Sequence, residues 1–285
     1  MTIPERVAIL GGGAMGGAIA TRLATLANGG ETPLGPAVTV TTASRRAASE
    51  LPDNVVRLDL ETDADANRQA VAHADLVLLA VKPPLVPGLA AEIASALRPG
   101  TTVVSVAAGV TCASIEAALP AGTAVLRAIP NTPALIGLGI TGLARGAAAG
   151  DDAAEAARWV FEQVGWVLEV PESRLDALTA VSGSGPAYLY LVIEAWTDAA
   201  VHRGFSPEEA RRLVLGTVIG AAQLMETSGE DAATLRHRVT SPNGTTAAAM
   251  EVLAGGDLEL LFDRALAAAQ QRAAELARQV AEEQG

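Results

Sequence analysis

Cysteine, lysine and aromatic side chains are scarce in this sequence of 285 residues. Cys112 is the only cysteine, Lys82 is the only lysine, and Phe, Trp and Tyr together make up 3% of the chain. One cysteine cannot form a disulfide within the chain, so we expect a protein of a reducing compartment, with the cytoplasm as the default. The three histidines are not spaced as metal ligands, and we predict no metal site.

Long hydrophobic runs and an excess of basic residues are also missing. The longest uncharged stretches, residues 99–115 and 128–144, are interrupted by Gly, Pro, Ser and Thr and are too short for a membrane span. The short apolar run near the start meets three glycines, unlike a secretory signal. The formal net charge of −12 argues against nucleic acid, which requires a basic face. We therefore predict neither a membrane nor a nucleic-acid partner.

The first part of the chain alternates short apolar runs with alanine-rich segments, as an α/β open sheet with crossover helices does. A helix over Asp151–Val164 and a strand over Trp166–Val170 close this pattern before Pro171. We place a domain boundary there, which gives domains 1–170 and 171–285. The predicted strands are Arg6–Leu10, Val38–Thr42, Val55–Leu58, Leu76–Val81, Thr102–Val106, Ala124–Ile129, Ile140–Leu143 and Trp166–Val170.

The second part has helical periodicity throughout. A capping box with proline at the first helical position begins a helix at Ser206 that runs to about Thr227. Apolar residues cover more than one face of this helix, so its own domain or a second subunit must enclose it. Further helices are predicted over Pro186–His202, Ala232–Val239 and Asp257–Val280, with a loop and a short helix before the last.

Three glycines form the first candidate binding motif. Gly11, Gly13 and Gly16 follow the first strand and open a helix over Ala14–Leu26, the arrangement that binds a dinucleotide pyrophosphate. The alternative is a tight glycine turn without a ligand.

The residues after the next strand bear on the choice of cofactor. No Asp or Glu occurs there up to Ser49, whereas Ser44, Arg45 and Arg46 do, and this favours NADPH over NADH. The alternative is an arginine pair on a solvated helix start.

Two further segments have the chemistry of ligand sites. Lys82 follows an apolar strand, at the edge where open α/β sheets bind ligands, although it could be a solvated loop charge. Ser241–Thr246 lies between two helical stretches and ends at a helix N-terminus, where free N–H groups favour an anion such as a carboxylate. An ordinary Ser/Thr cap is the alternative, and both roles can hold together.

Six segments together resemble the pyrroline-5-carboxylate reductase family, and they span essentially the whole chain. The last two are far more specific than a glycine loop. They are GGGAMGGAI from Gly11, AVKP from Ala80, VAAGV from Val106, RAIPNTP from Arg127, DALTAVSGSGPAY from Asp176 and VTSPNGTT from Val239.

The resemblance implies that a hydride is transferred from NADPH to the C=N carbon of 1-pyrroline-5-carboxylate, which gives L-proline. NADH is the weaker alternative as hydride donor. It also implies a Rossmann domain, and a helical domain that forms a homodimer, with decamers as a further assembly. Thr246 would donate a hydrogen bond to the ring nitrogen or carboxylate, and Ser241 is the second candidate catalytic residue. The implied substrate contacts are Ser184, Asn243, Gly244, Thr245 and Thr246. The implied cofactor contacts are Gly11, Gly13, Ala14, Met15, Gly16, Ser44, Arg45, Arg46, Ala80, Val81, Lys82, Ala107 and Asn131.

Two positions depart from the family pattern, and two assignments stay open. Asn243 stands where glycine is usual, but asparagine tolerates positive φ better than most residues. Ala14 replaces a common asparagine, which removes a polar side chain near the cofactor. Asn131 could instead form a turn, and Ser184 could be a helix cap.

Two other functions are compatible with parts of the pattern. A β-hydroxyacid dehydrogenase would use a lysine from the helical part, and no lysine follows Lys82. A non-catalytic NADP-binding protein would differ in not consuming NADPH with a cyclic imine.

Overall fold

The computed structural model describes residues 3–27, 35–43 and 51–282. The chain divides into two compact units: the residues up to Ser184 together with those from Ala268 onwards, and Gly185–Ala267. Residues 171–184 thus group with the sheet in the first unit. The boundary after residue 170 stays a prediction.

The first unit is built on one eight-stranded sheet of order β3-β2-β1-β4-β5-β6-β7-β8. All eight predicted strands are present, and their ends differ from the prediction by at most two residues. They are β1 Arg6–Leu10, β2 Ala37–Thr42, β3 Val56–Asp59, β4 Leu76–Leu79, β5 Thr102–Ser105, β6 Ala124–Pro130, β7 Gly139–Arg145 and β8 Gly165–Glu169. The predicted α/β class is therefore confirmed.

One strand departs from the parallel sheet that the apolar runs predict. Strands β1 to β6 are parallel to their neighbours, whereas β7 is antiparallel to β6. Only residues 131–138 connect the two, including a 3-10 turn over Thr132–Ile136 and a left-handed Gly137. This connection is too short for the crossover that a parallel pair requires.

Helices cover both faces of the sheet and bury its apolar strands. The helices of this unit are α1 Ala14–Ala27, α2 Ala66–Val71, α3 Val86–Ile93, α4 Cys112–Glu116, α5 Asp151–Glu162 and α6 Leu175–Leu178. One core joins α1 and α5 to the sheet through residues such as Leu23 and Phe161, and the other joins α2, α3 and α4 through residues such as Ile93 and Ile115. Packing on both faces explains why the strands are apolar at nearly every position.

The second unit consists of helices. They are α7 Gly185–Val201, α8 Pro207–Ser228, α9 Ala232–Arg238, α10 Thr245–Ala254 and the start of α11 Leu258–Glu282. The predicted capping box begins α8: the N–H of Glu209 donates to Ser206 Oγ at 3.3 Å, and Glu209 Oε2 accepts the Ser206 N–H at 2.9 Å. No helix in the described part of the chain is long and apolar enough to cross a membrane.

Candidate functional site

The glycine turn between β1 and α1 has a backbone that only glycine can adopt. Gly11 has a φ of +113°, and a Cβ there would lie 2.4 Å from the carbonyl oxygen of Ala80. A Cβ on Gly16 would lie 2.1 Å from the carbonyl oxygen of Gly11. These two glycines therefore allow the tight turn and the close packing of α1 on the sheet.

Gly13 differs from its neighbours because the space around it is open. A Cβ on Gly13 would meet no atom within 4 Å, and both Gly13 and Ala14 are exposed at the N-terminus of α1. A cleft of about 740 Å³ extends from this turn along α1, lined also by Ala134–Gly137. The turn thus provides an open cradle and free helical N–H groups, which fits a dinucleotide pyrophosphate.

Other predicted cofactor residues lie at the same edge of the sheet. Ala80, Val81 and Lys82 directly follow β4, and the N–H of Ala80 donates to the carbonyl oxygen of Leu10 at 2.8 Å. Ala107 follows β5, is buried, and donates its N–H to Ser105 Oγ at 3.2 Å. The strand order reverses its direction between β1 and β4, the position at which open α/β sheets bind ligands.

The predicted 2′-phosphate contacts Ser44, Arg45 and Arg46 lie outside the described residues. The strand before them, β2, ends at Thr42, and its last two residues are buried threonines. The sequence has no Asp or Glu between Ala37 and Ser49, so no carboxylate follows this strand directly, and the preference for NADPH stays a prediction.

The side chain of Asn131 is held in place by hydrogen bonds within the protein. Its Nδ2 donates to the carbonyl oxygen of Ser182 at 3.0 Å, and its Oδ1 accepts the N–H of Ile140 at 2.8 Å. The side chain is 7% exposed. This arrangement supports the turn-forming role that the sequence left open, and the cofactor contact stays a prediction.

Ser184 lies between a π-helical turn over Thr179–Gly183 and α7. Its φ of −86° and ψ of −15° are helical, whereas an N-cap residue has extended backbone. Ser184 instead borders a cavity of about 210 Å³ in the sheet unit. The geometry therefore favours a role in ligand contact over capping.

The predicted substrate loop forms a turn whose central residue is left-handed. The N–H of Gly244 donates to the carbonyl oxygen of Ser241 at 3.0 Å, with Pro242 and Asn243 between them. Asn243 has a φ of +59°, so asparagine takes the conformation that a glycine would supply. A Cβ on Gly244 would lie 2.5 Å from Ser241 Oγ and 3.1 Å from the carbonyl oxygen of Ser241, so the two residues pack closely across the turn.

The same loop leads into α10 without a side-chain cap. Gly244 is the N-cap residue, and the first intrahelical bond joins the N–H of Ala248 to its carbonyl oxygen. Within the described residues, the N–H groups of Thr245, Thr246 and Ala247 have no acceptor. Ser241 and Thr246 therefore do not act as caps here, and the helix start is available to an anion.

Sequence reasoning missed an ion pair between β6 and the segment after β8, in which the arginine is buried and the carboxylate is partly exposed. Arg127 lies on β6 with a side chain only 6% exposed, and its NH1 atom contacts Glu172 Oε1 at 2.9 Å. The same oxygen accepts the N–H of Cys112 at 2.8 Å. The available signal was a single arginine inside the otherwise apolar run Ala124–Ile129.

Cys112 belongs to the core on the face of the sheet covered by α2, α3 and α4. Its side chain is 2% exposed, and burial raises the pKa of the thiol to about 12, with a further contribution from the Glu172 carboxylate. Among residues 3–27, 35–43 and 51–282, no three His, Cys, Asp or Glu side chains are grouped as metal ligands would be.

The glycine cradle, the strand-end residues and the sheet order define a dinucleotide-dependent oxidoreductase. Residues 6–109 match the family model described as NADP oxidoreductase, coenzyme F420-dependent. Residues 172–276 match the model described as pyrroline-5-carboxylate reductase dimerisation.

Similar proteins identify the family. A pyrroline-5-carboxylate reductase from Pseudomonas aeruginosa is 46% identical over 76% of this chain and 80% of its own. One from Mycobacterium tuberculosis is 38% identical over 95% of this chain and 96% of its own. The solved structure of the Coxiella burnetii reductase superposes with a TM-score of 0.85 at 36% identity, covering 95% of this chain and 97% of that one.

The chain belongs to the pyrroline-5-carboxylate reductase family. The resemblance, the oxidoreductase activity on a C=N bond and the use of NAD(P)H are thereby confirmed. This result contradicts both alternatives, which were a β-hydroxyacid dehydrogenase and a non-catalytic NADP-binding protein.

Proposed function

We propose that this reductase prefers NADPH and holds the carboxylate of 1-pyrroline-5-carboxylate at the start of α10. The observation that carries the proposal is the set of unused N–H groups at Thr245, Thr246 and Ala247, which follows the left-handed turn at Asn243. Free N–H groups and the helix dipole favour a negative charge at this position.

Thr246 and Ser241 are the proposed catalytic side chains. The nicotinamide supplies the hydride when the cofactor is bound. A cyclic imine accepts hydride more readily when a donor polarises its nitrogen, and the Thr246 hydroxyl is the proposed donor. Ser241 Oγ lies against the backbone of Gly244, and we assign it the positioning of the loop or a second contact with the substrate.

The nucleotide is proposed to bind at the strand ends of the sheet unit. Gly11, Gly13 and Gly16, with Ala14 and Met15, would surround the pyrophosphate at the start of α1. Ala80, Val81, Lys82, Ala107 and Asn131 would contact the rest of the cofactor. Ser44, Arg45 and Arg46 would hold the 2′-phosphate, because a hydroxyl and two guanidinium groups suit that anion.

A homodimer is the proposed assembly, with a decamer as a further possibility for the same chain. The second unit leaves large apolar side chains exposed on α8, including Leu213 at 49%, Ile219 at 47% and Leu224 at 58%. Covering such residues is what a dimerisation domain does.

A single assay tests this function. NADPH consumption is followed with racemic pyrroline-5-carboxylate, and a hydroxyacid and its ketoacid serve as controls. We expect rapid consumption with the imine only, and a higher kcat/KM with NADPH than with NADH. Failure to reduce the imine, or equal kcat/KM for the two cofactors, would contradict the corresponding part of the proposal.

A further inference from the structure

The π-helical turn over Thr179–Gly183 lies against the end of β6 and leads directly into Ser184. A Cβ on Gly183 would lie 3.9 Å from Ile129 Cγ2, so the turn approaches the strand closely. The N–H of Ser184 donates to the carbonyl oxygen of Thr179 at 2.9 Å, with the five-residue spacing of a π-helix. The position of Ser184 therefore depends on the shape of this turn.

One carbonyl group of the turn lacks the donor that an α-helix would provide. In an α-helix, the carbonyl oxygen of Ser182 would accept the N–H four residues later, but that residue is Pro186, which has no N–H. Asn131 provides a donor instead, because its Nδ2 atom donates to this oxygen at 3.0 Å. The side-chain amide thus replaces a bond that proline removes.

Asn131 is itself held by the sheet. It directly follows β6, its Oδ1 atom accepts the N–H of Ile140 on β7 at 2.8 Å, and its own N–H donates to the carbonyl oxygen of Ile140 at 3.2 Å. The hydroxyls of Thr179 and Ser182 donate instead to carbonyls one turn earlier in their own segment. The amide of Asn131 is therefore a link between the ends of β6 and β7 and the turn.

We propose that Asn131 is a positioning residue for Ser184, because its amide fixes the π-helical turn in the form that presents the Ser184 hydroxyl to the substrate. The inference rests on the proposed function for the substrate and on the ligand contact assigned to Ser184. A contact between Asn131 and the cofactor is compatible with this role, since the NH2 group has a second hydrogen to donate.

A double-mutant cycle between Asn131 and Ser184 tests the link. Asn131→Asp keeps the size of the side chain and an acceptor for the Ile140 N–H, but it places an oxygen against the Ser182 carbonyl. At saturating NADPH, Asn131→Asp and Ser184→Ala should each lower kcat/KM for the imine about tenfold. The double variant should lose little more than one single variant, because Asn131 acts through Ser184. Independent roles would give about a hundredfold loss.

Pro186→Ala changes the same hydrogen bond without altering the buried amide. The new N–H competes for the Ser182 carbonyl and allows α-helical spacing, so kcat/KM should fall with little change in Tm. Pro207→Ala is the matched control, because Pro207 also lies in the first turn of a helix.

Asn54→Asp is the matched control for Asn131→Asp. Asn54 Nδ2 also donates to a backbone carbonyl, that of Ala24, at 2.8 Å, and it lies outside the proposed sites. Both control variants should keep full kcat/KM. Full kcat/KM in Pro186→Ala would show that Ser184 does not depend on the turn and would overturn the proposal.

Hydrogen exchange separates this proposal from the proposed function, because it needs no substrate. In Asn131→Asp, the N–H of Ser184 should exchange at least about tenfold faster, while the amides of β5 keep their rates. A parent chain that does not reduce the imine refutes the proposed function, and faster exchange in its variant would still support the link between Asn131 and the turn. Unchanged exchange at Ser184, or additive losses of kcat/KM in an active reductase, would overturn the positioning role.

Discussion

At the scale of single residues, Thr246 has the most direct consequence for catalysis. Its half-buried side chain lies in the first turn of α10 and caps no backbone group. Thr246→Ala should retain the fold and NADPH binding but lower kcat/KM by about 10- to 1000-fold, as loss of a transition-state hydrogen bond does. A fall in kcat indicates action in the transition state, and a rise in KM indicates binding of the substrate.

Steady-state kinetics and thermal melting check this expectation. Thr227→Ala on α8 is the control, because this exposed threonine lies outside the proposed substrate loop. If Thr246→Ala keeps full kcat/KM and only lowers Tm, the side chain is structural and its assignment is wrong.

Cofactor selectivity depends on residues next to β2. Ser44→Glu places a carboxylate where NAD-specific enzymes bind the ribose 2′-OH, so it should repel the 2′-phosphate of NADPH. We expect NADPH affinity to fall about 5- to 150-fold while NADH activity is retained or improved. Ser49→Glu adds the same charge at the end of this segment and is the control, and equal effects of both variants would refute a specific contact.

Cys112 should be chemically inert in the folded protein. Because burial raises the pKa of its thiol to about 12, the thiol stays protonated near pH 8 and is also inaccessible. A thiol-disulfide colour reagent should therefore react slowly with the native chain and rapidly after denaturation in urea. Fast reaction of the native chain would show that this part of the core opens.

Residue types alone predict backbone conformation well and side-chain partners poorly. The positive φ at Asn243 follows from a proline-asparagine pair in a turn. The two internal hydrogen bonds of Asn131 could not be anticipated, because Ser182 and Ile140 are brought to it only by the fold. The pair between Arg127 and Glu172 joins positions far apart in the sequence for the same reason.

At the scale of secondary structure, the capping box of α8 makes a measurable contribution to stability. Ser206→Ala removes one of the two reciprocal bonds to Glu209 and should cost about 0.5–2 kcal/mol. Thermal unfolding should show a lower Tm, whereas Ser228→Ala at the other end of the helix should change it little. An unchanged Tm in Ser206→Ala would mean that assembly, and not the cap, fixes this helix start.

A cluster of charged side chains joins strand β8 to β7 and α5. Its contribution to the stability of the fold depends on pH. Arg145 and Arg158 both contact Glu169, and the hydrogen bond from Arg145 is the main cause that lowers the pKa of this carboxyl. The stabilisation is therefore present above the carboxyl's unfolded pKa and is lost as pH falls through the lower folded pKa.

Glu169→Gln tests this dependence. The free energy of unfolding of the variant should change less between neutral and acidic pH than that of the parent chain. Glu162→Gln at the end of α5 removes an exposed carboxylate from the same helix and serves as the comparison. If the free energy of unfolding depends on pH in the same way in Glu169→Gln and in the parent chain, the cluster does not contribute to the pH dependence of stability.

Element types could be predicted from apolar periodicity, but the direction of β7 could not. Its apolar run is compatible with either direction, because both of its faces are buried. The deciding fact is the 3-10 turn over Thr132–Ile136, which leaves no length for a crossover helix.

At the scale of the whole molecule, the apolar surface of α8 predicts self-association. Sedimentation at micromolar concentration should give a mass of at least twice the 28.9 kDa of one chain. Leu213→Glu together with Ile219→Glu should shift the mass towards the monomer, because each introduces a charge among exposed apolar residues. Glu208→Gln in the first turn is a control of similar exposure, and a monomeric parent chain would refute the prediction.

Lys82 gives the chain an unusual chemical property. It is the only lysine, it is exposed, and it directly precedes the 3-10 turn over Pro83–Leu85 that follows β4. Reagents that acylate primary amines therefore have one side-chain target, besides any free α-amino group. A fluorophore could be attached beside the proposed nucleotide cradle without mutagenesis. Protection of Lys82 by added NADP⁺ would then report occupancy of that cradle in the unmodified protein.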